Sequence, residues 1–185
     1  MKKRCEWAKI EPNTTYHDKE WGIPQHSDKK LFEFLILEGA QAGLSWSTIL
    51  NRRDGYRFAF SNFDAAKVSK YTQNHVKKLV QNKAIIRNKL KINSAINNAR
   101  QFIKIQKEFG SFDEYLWGFV DHKPIKNKFK KYSDLPSYTT ISKKLSQDLK
   151  KRGFNFVGPT ICYALMQAVG MVNDHTIDCF RYSKL

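Results

Sequence analysis

The chain has 185 residues, of which 41% are hydrophobic, and it carries a formal net charge of +16. This length and composition fit one globular domain with a hydrophobic core and exclude an intrinsically disordered chain. No apolar run has the length of a membrane-spanning helix, and the start MKKRCEWAKIEP lacks an apolar signal region, so we expect a cytoplasmic protein without a membrane partner.

The excess of basic residues, 33 Lys and Arg against 17 Asp and Glu, produces a long-range field that attracts polyanions. Nucleic acid is therefore the leading candidate partner. A lysine-rich surface that is merely solvated explains the same composition, so the charge alone leaves both interpretations open.

The chain is predicted to form a series of helices separated by short breaks. Ser27 and Asp28 precede a densely apolar helix that we expect to end at Gly39. Ser45 can cap the next helix, which we expect to stop at Asp54–Gly55. Further helices are predicted after Asp64, after Thr72, from Asn88 to Glu108, after Ser111, around Ile141 to Leu149, and from Gly158–Pro159.

Alternation of apolar and polar residues, the signature of strands, is absent over any useful length. The predicted fold class is therefore all-α, in a single domain that covers residues 1–185. We expect the lysine-rich stretch 122–136 to be a surface connection rather than a boundary between domains.

Two cysteines and two histidines lie in pairs near the ends of the chain. His175 and Cys179 are four residues apart, so on a helix they would share a face and could bind one metal ion. A Cys2His2 set forms a closed tetrahedral zinc site, which would tie the first segment to the last. The spacings are not those of a standard zinc finger, so four unrelated residues are the alternative. The four candidate ligands are Cys5, His17, His175 and Cys179. The chain has only three cysteines, Cys5, Cys162 and Cys179, and so few are typical of a protein in a reducing compartment.

Glu38 interrupts a strongly apolar run, and aromatic residues lie in the segments Tyr16–Gly22 and Leu37–Trp46. A carboxylate in such a run is either exposed at a helix edge or buried with a partner. Buried beside Tyr and Trp, it would suit recognition of a flat cationic base, because aromatic faces attract cations. An aromatic core pair with an exposed Glu is the alternative.

The sequence around Gly153 suggests a hairpin between two helices. One helix ends in Lys150, Lys151 and Arg152, and Gly153 can terminate it in a left-handed conformation. Gly158–Pro159 opens the next helix, whose free N–H groups favour an anion. The segment is either a clamp for the phosphates of a DNA strand or an ordinary helical hairpin.

The blocks YHDKEWG, LILEGAQAGLSW, IIRNKLKI and KKRGFNFVGPTICYALMQAVGMVNDH together resemble the DNA-3-methyladenine glycosylase I family, and the likeness extends from Cys5 to Cys179. The resemblance implies a helix-hairpin-helix glycosylase fold with one structural zinc, either undivided or in two helical lobes with the base pocket between them. It also implies a monofunctional base-excision repair enzyme. Such an enzyme flips 3-methyladenine out of alkylated double-stranded DNA and hydrolyses its N-glycosidic bond, which leaves an abasic site. We expect a monomer in the bacterial cytoplasm, at the nucleoid during repair.

The resemblance assigns roles to the pocket residues. Glu38 matches the carboxylate that reads the excised base, and we expect it to be the catalytic group through recognition and electrostatics rather than as a general base. Tyr16 and Trp46 match the aromatic residues of the pocket, and Trp21 adds to its wall. Asn13 stands where members of the family carry Tyr, which makes one side less aromatic. The implied zinc ligands are Cys5, His17, His175 and Cys179.

The resemblance also implies how DNA is held. Gly43 and Leu44 match a loop that enters the duplex and fills the gap left by the flipped nucleotide. The segment Gly153–Thr160 matches the hairpin that holds the DNA backbone. The implied contacts at this hairpin are Lys151, Arg152, Gly153, Gly158 and Thr160.

Two other functions are compatible with parts of this pattern. A zinc-stabilised protein that binds damaged DNA without excision is one alternative, and Asn13 favours it weakly. A glycosylase for oxidised bases is the other, but bifunctional members of that group carry a catalytic Lys in the hairpin, and GFNFVGP has none. Asp174 lies where related glycosylases place a catalytic Asp, but this family lacks that residue. Because Asp174 adjoins His175, a structural role is expected there, and we do not assign Asp174 a catalytic role.

Overall fold

A computed structural model describes residues 2–185 and confirms the all-α fold class. Two short strands pair in parallel, with Ile125 opposite Val172, and were not predicted because two residues are too few to show alternation. The helices are α1 Asn13–Lys19, α2 Asp28–Gln41, α3 Trp46–Leu50, α4 Arg53–Ala59, α5 Ala65–Val68, α6 Gln73–Leu79, α7 Lys89–Phe109, α8 Phe112–Trp117, α9 Thr140–Lys151 and α10 Pro159–Ala168, and the strands are β1 Ile125–Lys126 and β2 Val172–Asn173.

The predicted helix starts agree with the structure where a side chain caps the first turn. The Asp64, Asn88 and Ser111 side chains accept hydrogen bonds from the backbone N–H groups of Lys67, Lys91 and Glu114. Ser45 caps α3 in the same way, by accepting from the N–H of Thr48. Each cap satisfies a backbone donor that has no partner within the helix, so it marks the boundary locally.

Two predicted helix ends are wrong. The helix α2 continues two residues past Gly39, and the helix expected to stop at Asp54–Gly55 ends at Leu50, while α4 runs through Gly55. A Cβ atom at Gly55 would lie 2.3 Å from the backbone oxygen of Ala84. This glycine therefore serves a close approach between α4 and the loop before α7, and it does not end a helix.

The helix α2 lies at the centre of the fold and packs against α3, α7, α8 and α10. Every residue from Leu31 to Ala40 is buried, so the helix has no solvent-facing side along this length. A helix that is apolar all round is expected to be buried in this way. The consequence is that Glu38 is carried into the protein interior.

The stretch 122–136 is largely exposed, as expected for a surface connection. It also contributes β1 and a short 3₁₀ turn at Tyr132–Asp134. Within residues 2–185, no helix combines the length and apolar character that crossing a membrane requires.

Candidate functional site

A cavity of ≈ 600 Å³ opens between α1, α2, α3 and α10. It is lined by all four predicted pocket residues, Tyr16, Trp21, Glu38 and Trp46. The Tyr16 and Trp46 rings are 5.3 Å apart between centroids and tilted by 53°. The fold thus brings together residues that are up to 30 positions apart in the sequence.

Three helices position these side chains. Tyr16 and His17 are neighbours on α1, where Tyr16 lines the cavity and His17 lies in a separate Cys/His cluster. The buried helix α2 delivers Glu38, and the Ser45 cap starts α3 so that Trp46 is its first residue. The rigid ends of packed helices therefore hold the cavity wall.

Glu38 is only 4% exposed, and within the described residues its carboxylate has no hydrogen-bond or ion-pair partner. Neither expectation from the sequence, an exposed Glu or a buried Glu with a partner, describes this arrangement. Burial raises the pKa of Glu38 to about 8. A cationic ligand in the cavity would restore the charged form, so the carboxyl group is prepared for a positively charged partner.

Three further polar atoms at the cavity are buried without a hydrogen-bond partner in the part of the chain that the structure describes. They are Asn13 Oδ1, the Tyr16 hydroxyl and Trp46 Nε1. Leaving such a group unpaired costs about 1–3 kcal/mol, and most buried polar groups in proteins are paired. Together with Glu38, they offer donors and acceptors beside aromatic faces, which fits a flat, polar, cationic ring.

Several cavity residues were not predicted from the sequence. Tyr163 and Gln167 are four residues apart on α10 and therefore share a face, a spacing that could have revealed them. The connection before α9 had no periodic signal, yet it forms one wall. The additional lining residues include Trp7, Gln41, Tyr132, Ser133, Leu135, Pro136, Ser137, Thr160, Tyr163, Ala164 and Gln167.

Asp174 lies behind the cavity wall and is buried. Its carboxylate accepts hydrogen bonds from the Tyr163 hydroxyl at 2.6 Å, from Gln167 Nε2 at 2.7 Å and from Asn127 Nδ2 at 2.7 Å. Asp174 thus holds two lining side chains in place and ties them to the 122–136 connection. These contacts support the structural role expected of it.

The ends of the chain meet in a buried Cys/His cluster. The ligand atoms of Cys5, His17 and Cys179 lie within 4.8 Å of one another, as a metal ion would require. His175 is outside that span but adjacent, with its ring 4.9 Å from the His17 ring between centroids. Of the four predicted ligands, the fold therefore brings three together and places the fourth beside them.

The loop after α2 contains the predicted duplex-entering residues. Gly43 has a positive φ of 77°, and a Cβ atom there would meet nothing within 4 Å. Leu44 is 38% exposed. Lys91 Nζ donates to the backbone oxygens of Ala40 at 2.8 Å and Ala42 at 2.6 Å, so α7 caps the end of α2 and supports this loop. The block IIRNKLKI, which contains Lys91, is part of the family resemblance, but the contact of Lys91 with this loop was not predicted.

The hairpin between α9 and α10 has the predicted glycine geometry. Gly153 has a φ of 88° after the last turn of α9, and Gly158 precedes Pro159, the first residue of α10. The side chain of Asn98 holds the hairpin from α7, because its Nδ2 donates to the Asn155 oxygen and its Oδ1 accepts from the Asn155 N–H. The hairpin is therefore anchored to the protein core.

The Arg152 guanidinium, predicted to contact DNA, is engaged within the protein. Its Nε donates to Asp148 at 2.7 Å, and its Nη1 and Nη2 donate to Glu108 at 2.7 and 3.1 Å. The guanidinium also lies over the rings of Phe109 and Tyr115. All three nitrogens thus serve contacts within the protein, whereas Lys150 and Lys151 are exposed. The position of Arg152 next to the hairpin in the sequence did not indicate that Glu108 on α7 would be its partner.

The family model described as methyladenine glycosylase matches residues 7–182. The chain is 46% identical over 180 residues to DNA-3-methyladenine glycosylase 1 of Escherichia coli (strain K12), covering 97% of this chain and 96% of that protein. A crystal structure of 3-methyladenine DNA glycosylase I aligns with a TM-score of 0.94 at 44% identity, over 96% of this chain and 98% of that one. A Staphylococcus aureus structure, described as the structural basis of 3-methyladenine recognition, aligns with a TM-score of 0.93 at 34% identity, over 96% and 95%.

Proposed function

This chain belongs to the methyladenine glycosylase family, and we propose that it is a base-excision repair glycosylase that removes 3-methyladenine from alkylated DNA. It flips the damaged nucleotide out of the helix and hydrolyses the N-glycosidic bond, which releases the base and leaves an abasic site. One observation carries this conclusion: a buried Glu38, without a hydrogen-bond or ion-pair partner among residues 2–185, faces a cavity walled by Tyr16 and Trp46.

The cavity distinguishes the damaged base from adenine by charge. Methylation at N3 makes adenine cationic, which weakens the glycosidic bond and makes the base a good leaving group. The Tyr16 and Trp46 rings attract a cation, and Glu38 regains its negative charge beside it. Normal adenine is neutral and gains neither interaction. Flipping costs a few kcal/mol, so selection occurs at binding as well as in the chemical step.

Glu38 acts on the reaction by holding the base. Its carboxylate accepts hydrogen bonds from the amino edge of 3-methyladenine, and Trp46 Nε1 and the Tyr16 hydroxyl lose their unpaired state when the ring is bound. The base is thereby fixed while water attacks the sugar carbon and the bonding electrons pass to the cationic ring. No residue is assigned as a general base.

A structural zinc ion, held by Cys5, His17, His175 and Cys179, is part of this proposal. The buried Nε2 of His175 has no partner in the described part of the chain, while its Nδ1 lies 3.1 Å from Asn173 Oδ1. His17 Nδ1 likewise lies 2.9 Å from Asp18 Oδ1. Both rings can therefore donate through Nδ1 and present Nε2 as a ligand, the usual outer-shell arrangement at zinc. The donor set fits a closed tetrahedral site.

The zinc site would support the base cavity. The Trp21 ring lies 4.6 Å from the His175 ring, and the Trp7 ring lies 5.4 Å from the His17 ring, measured between centroids. Both tryptophans line the cavity. Fixing the two histidines on one ion therefore also fixes one wall of the pocket.

Double-stranded DNA is the proposed form of the substrate, bound by a monomer in the cytoplasm. The hairpin between α9 and α10 serves as the helix-hairpin-helix element, with the backbone N–H groups of Gly158 and Thr160 at the start of α10 directed at phosphates. The N–H groups of Phe154 and Asn155, just after Gly153, instead donate to the Leu149 oxygen and to Asn98 Oδ1. Lys150 and Lys151 supply the exposed positive charge.

A glycosylase assay tests the proposed function directly. Methylated duplex DNA is incubated with the purified protein, and the released bases and the abasic sites are quantified. We expect release of 3-methyladenine in amounts equal to the abasic sites formed, without strand cleavage by the enzyme. Tight binding of methylated DNA with no base release would instead identify a damage-binding protein.

Leu44→Ala is expected to weaken binding of a damaged duplex about tenfold, because the side chain no longer fills the gap left by the flipped nucleotide. Its affinity for free 3-methyladenine should stay unchanged, since Leu44 is outside the cavity lining. Fluorescence titration with each ligand measures both. Equal losses for duplex and free base would point to a pocket defect and contradict the wedge role.

Replacing Lys150 and Lys151 together by Ala is expected to lower DNA affinity. The slope of log affinity against log salt concentration should become shallower by about one to two, one for each lost phosphate contact. The control is the pair Lys143→Ala and Lys144→Ala, which removes the same charge from exposed positions nearer the start of α9. Binding is measured across a series of salt concentrations. Identical slopes for the two double variants would refute hairpin-specific contacts.

A further inference from the structure

A second groove of ≈ 640 Å³ lies between the first turns of α7 and the hairpin. Its α7 side consists of Leu90, Asn93, Ser94 and Asn97. This spacing of three and four residues places the four side chains on one face of the helix. The hairpin side consists of Asn155 and Phe156.

The surface of this groove is unlike an ordinary solvated helix face. Leu90 is an apolar residue that is 71% exposed, whereas the other α7 residues of the groove are polar. Phe156 has a φ of 54°, a left-handed conformation that side chains other than Gly rarely adopt and that concentrates at functional sites. Asn97 and Asn98 hydrogen-bond to the hairpin and hold it in this conformation.

The loop with Gly43 and Leu44 separates this groove from the base cavity. On one side of the loop, Gln41 and Trp46 line the cavity. On the other side, Lys91 follows Leu90 and donates to the oxygens of Ala40 and Ala42. A duplex that admits Leu44 between its strands therefore has its extruded nucleotide on the cavity side and its other strand on the groove side.

The electrostatics of the groove favour a polyanion. Arg87 and Lys89 are exposed at the start of α7. The N-terminal end of this 21-residue helix adds the positive end of its dipole. Asn93 is half-buried in the groove, where its amide can bond to base edges or sugars, and Leu90 offers an apolar contact for a base face.

We propose that this groove binds the undamaged strand, opposite the extruded nucleotide, with Leu90 packed against that strand and Arg87 and Lys89 at its phosphates. The inference rests on the proposed function, because it assumes that Leu44 enters a duplex. It assigns a role to the exposed residues Arg87, Lys89 and Leu90, which neither the base cavity nor the hairpin uses.

The test compares two DNA ligands that differ only in the second strand. An oligonucleotide with a stable abasic-site analogue is titrated as a single strand and as a duplex. Leu90→Ala should weaken duplex binding about tenfold and leave single-strand binding and free 3-methyladenine affinity within twofold of wild type. Phe58→Ala removes another exposed apolar side chain, on α4, and should change none of the three.

A charge variant gives an independent measurement. Lys89→Ala should reduce the salt slope of duplex binding by about one unit. Lys104→Ala, also exposed but about 22 Å further along α7, should leave the slope unchanged.

Equal losses on single strand and duplex for Leu90→Ala would place the damaged strand in the groove and overturn the proposal. So would unchanged duplex binding, or a parallel loss of free-base affinity. Base release from methylated DNA by the unaltered protein is measured separately, so a failure here is distinct from a failure of the proposed function.

Discussion

Glu38→Gln should lower kcat/KM on methylated DNA roughly ten- to a hundredfold, because a hydrogen bond to a charged group contributes about 1.5–3 kcal/mol. The substitution keeps the size of the side chain but cannot become negative beside the cationic base. Affinity for free 3-methyladenine should fall as well. Excision rates, base titrations and circular dichroism of the variant measure the effect. A folded variant with wild-type binding and excision would remove Glu38 from the site.

The pH dependence of kcat/KM, compared between the wild type and Glu38→Gln, is a sharper test. Burial raises the pKa of Glu38 to about 8, so the free protein is mostly uncharged at this position at neutral pH. Since kcat/KM reports the free enzyme, it should rise with pH and level off above about pH 8 in the wild type. The positive charge of 3-methyladenine in DNA comes from alkylation and does not titrate. Glu38→Gln should show no such rise.

Glu38→Gln should also make the protein more stable at neutral pH. Below pH 4.5 the carboxyl group of Glu38 is protonated whether the chain is folded or unfolded, so its raised pKa does not lower the free energy of unfolding there. As pH rises from there to about 8, only the unfolded form ionises, so the wild type loses about 1.4 kcal/mol per pH unit. The loss is about 3 kcal/mol at pH 7, which predicts a Tm several degrees higher for the variant.

Glu33→Gln is the matched control on the same helix. Glu33 is also buried, but it is paired with Lys30, Arg53 and Arg57. Burial opposes its ionisation, and Arg53 and Lys30 more than offset this and hold the pKa of Glu33 below its ordinary value. Its replacement should therefore destabilise the protein at neutral pH, the opposite sign. Equal shifts in Tm for the two variants would contradict the unpaired state of Glu38.

Loss of the metal should have the largest effect on stability. We expect one zinc ion per chain in natively purified protein, and its removal by a chelator should lower the free energy of unfolding by several kcal/mol or more. An ion bound by Cys5 and Cys179 would join the two ends and so constrain nearly the whole chain in the unfolded state. Elemental analysis and thermal melting before and after chelation measure this. Because Trp7 and Trp21 pack on the two histidines, base affinity should fall too.

Two cysteine variants separate the metal from general packing. Cys179→Ser should lose zinc and show the low Tm of the chelated protein. Cys162→Ser should keep zinc and most of the stability, because Cys162 is buried outside the cluster and hydrogen-bonds to the Val157 oxygen, as a serine also can. A zinc-free wild type whose melting is unaffected by chelation would refute the site.

Local sequence determined most of the helix starts and the turn at the hairpin. Asp64, Asn88 and Ser111 cap helices through a backbone group three residues away, so the signal lies within one turn. Gly153 takes the left-handed conformation that its position after Lys150–Arg152 predicts. The blocks around Tyr16 and Glu38 also identified four of the residues that line the cavity, through a family resemblance rather than through periodicity.

Tertiary structure alone decided the properties that depend on distant partners. Gly55 lies within α4 and lacks the Cβ atom that would clash with Ala84, and α2 ends where Lys91 caps it. Arg152 turns to Glu108 on another helix instead of remaining exposed. The high pKa of Glu38 likewise depends on its burial, which the packing of α2 against the surrounding helices imposes. Such contacts join residues tens of positions apart, and a local pattern carries no information about which distant group will arrive, because packing of the whole chain sets that distance.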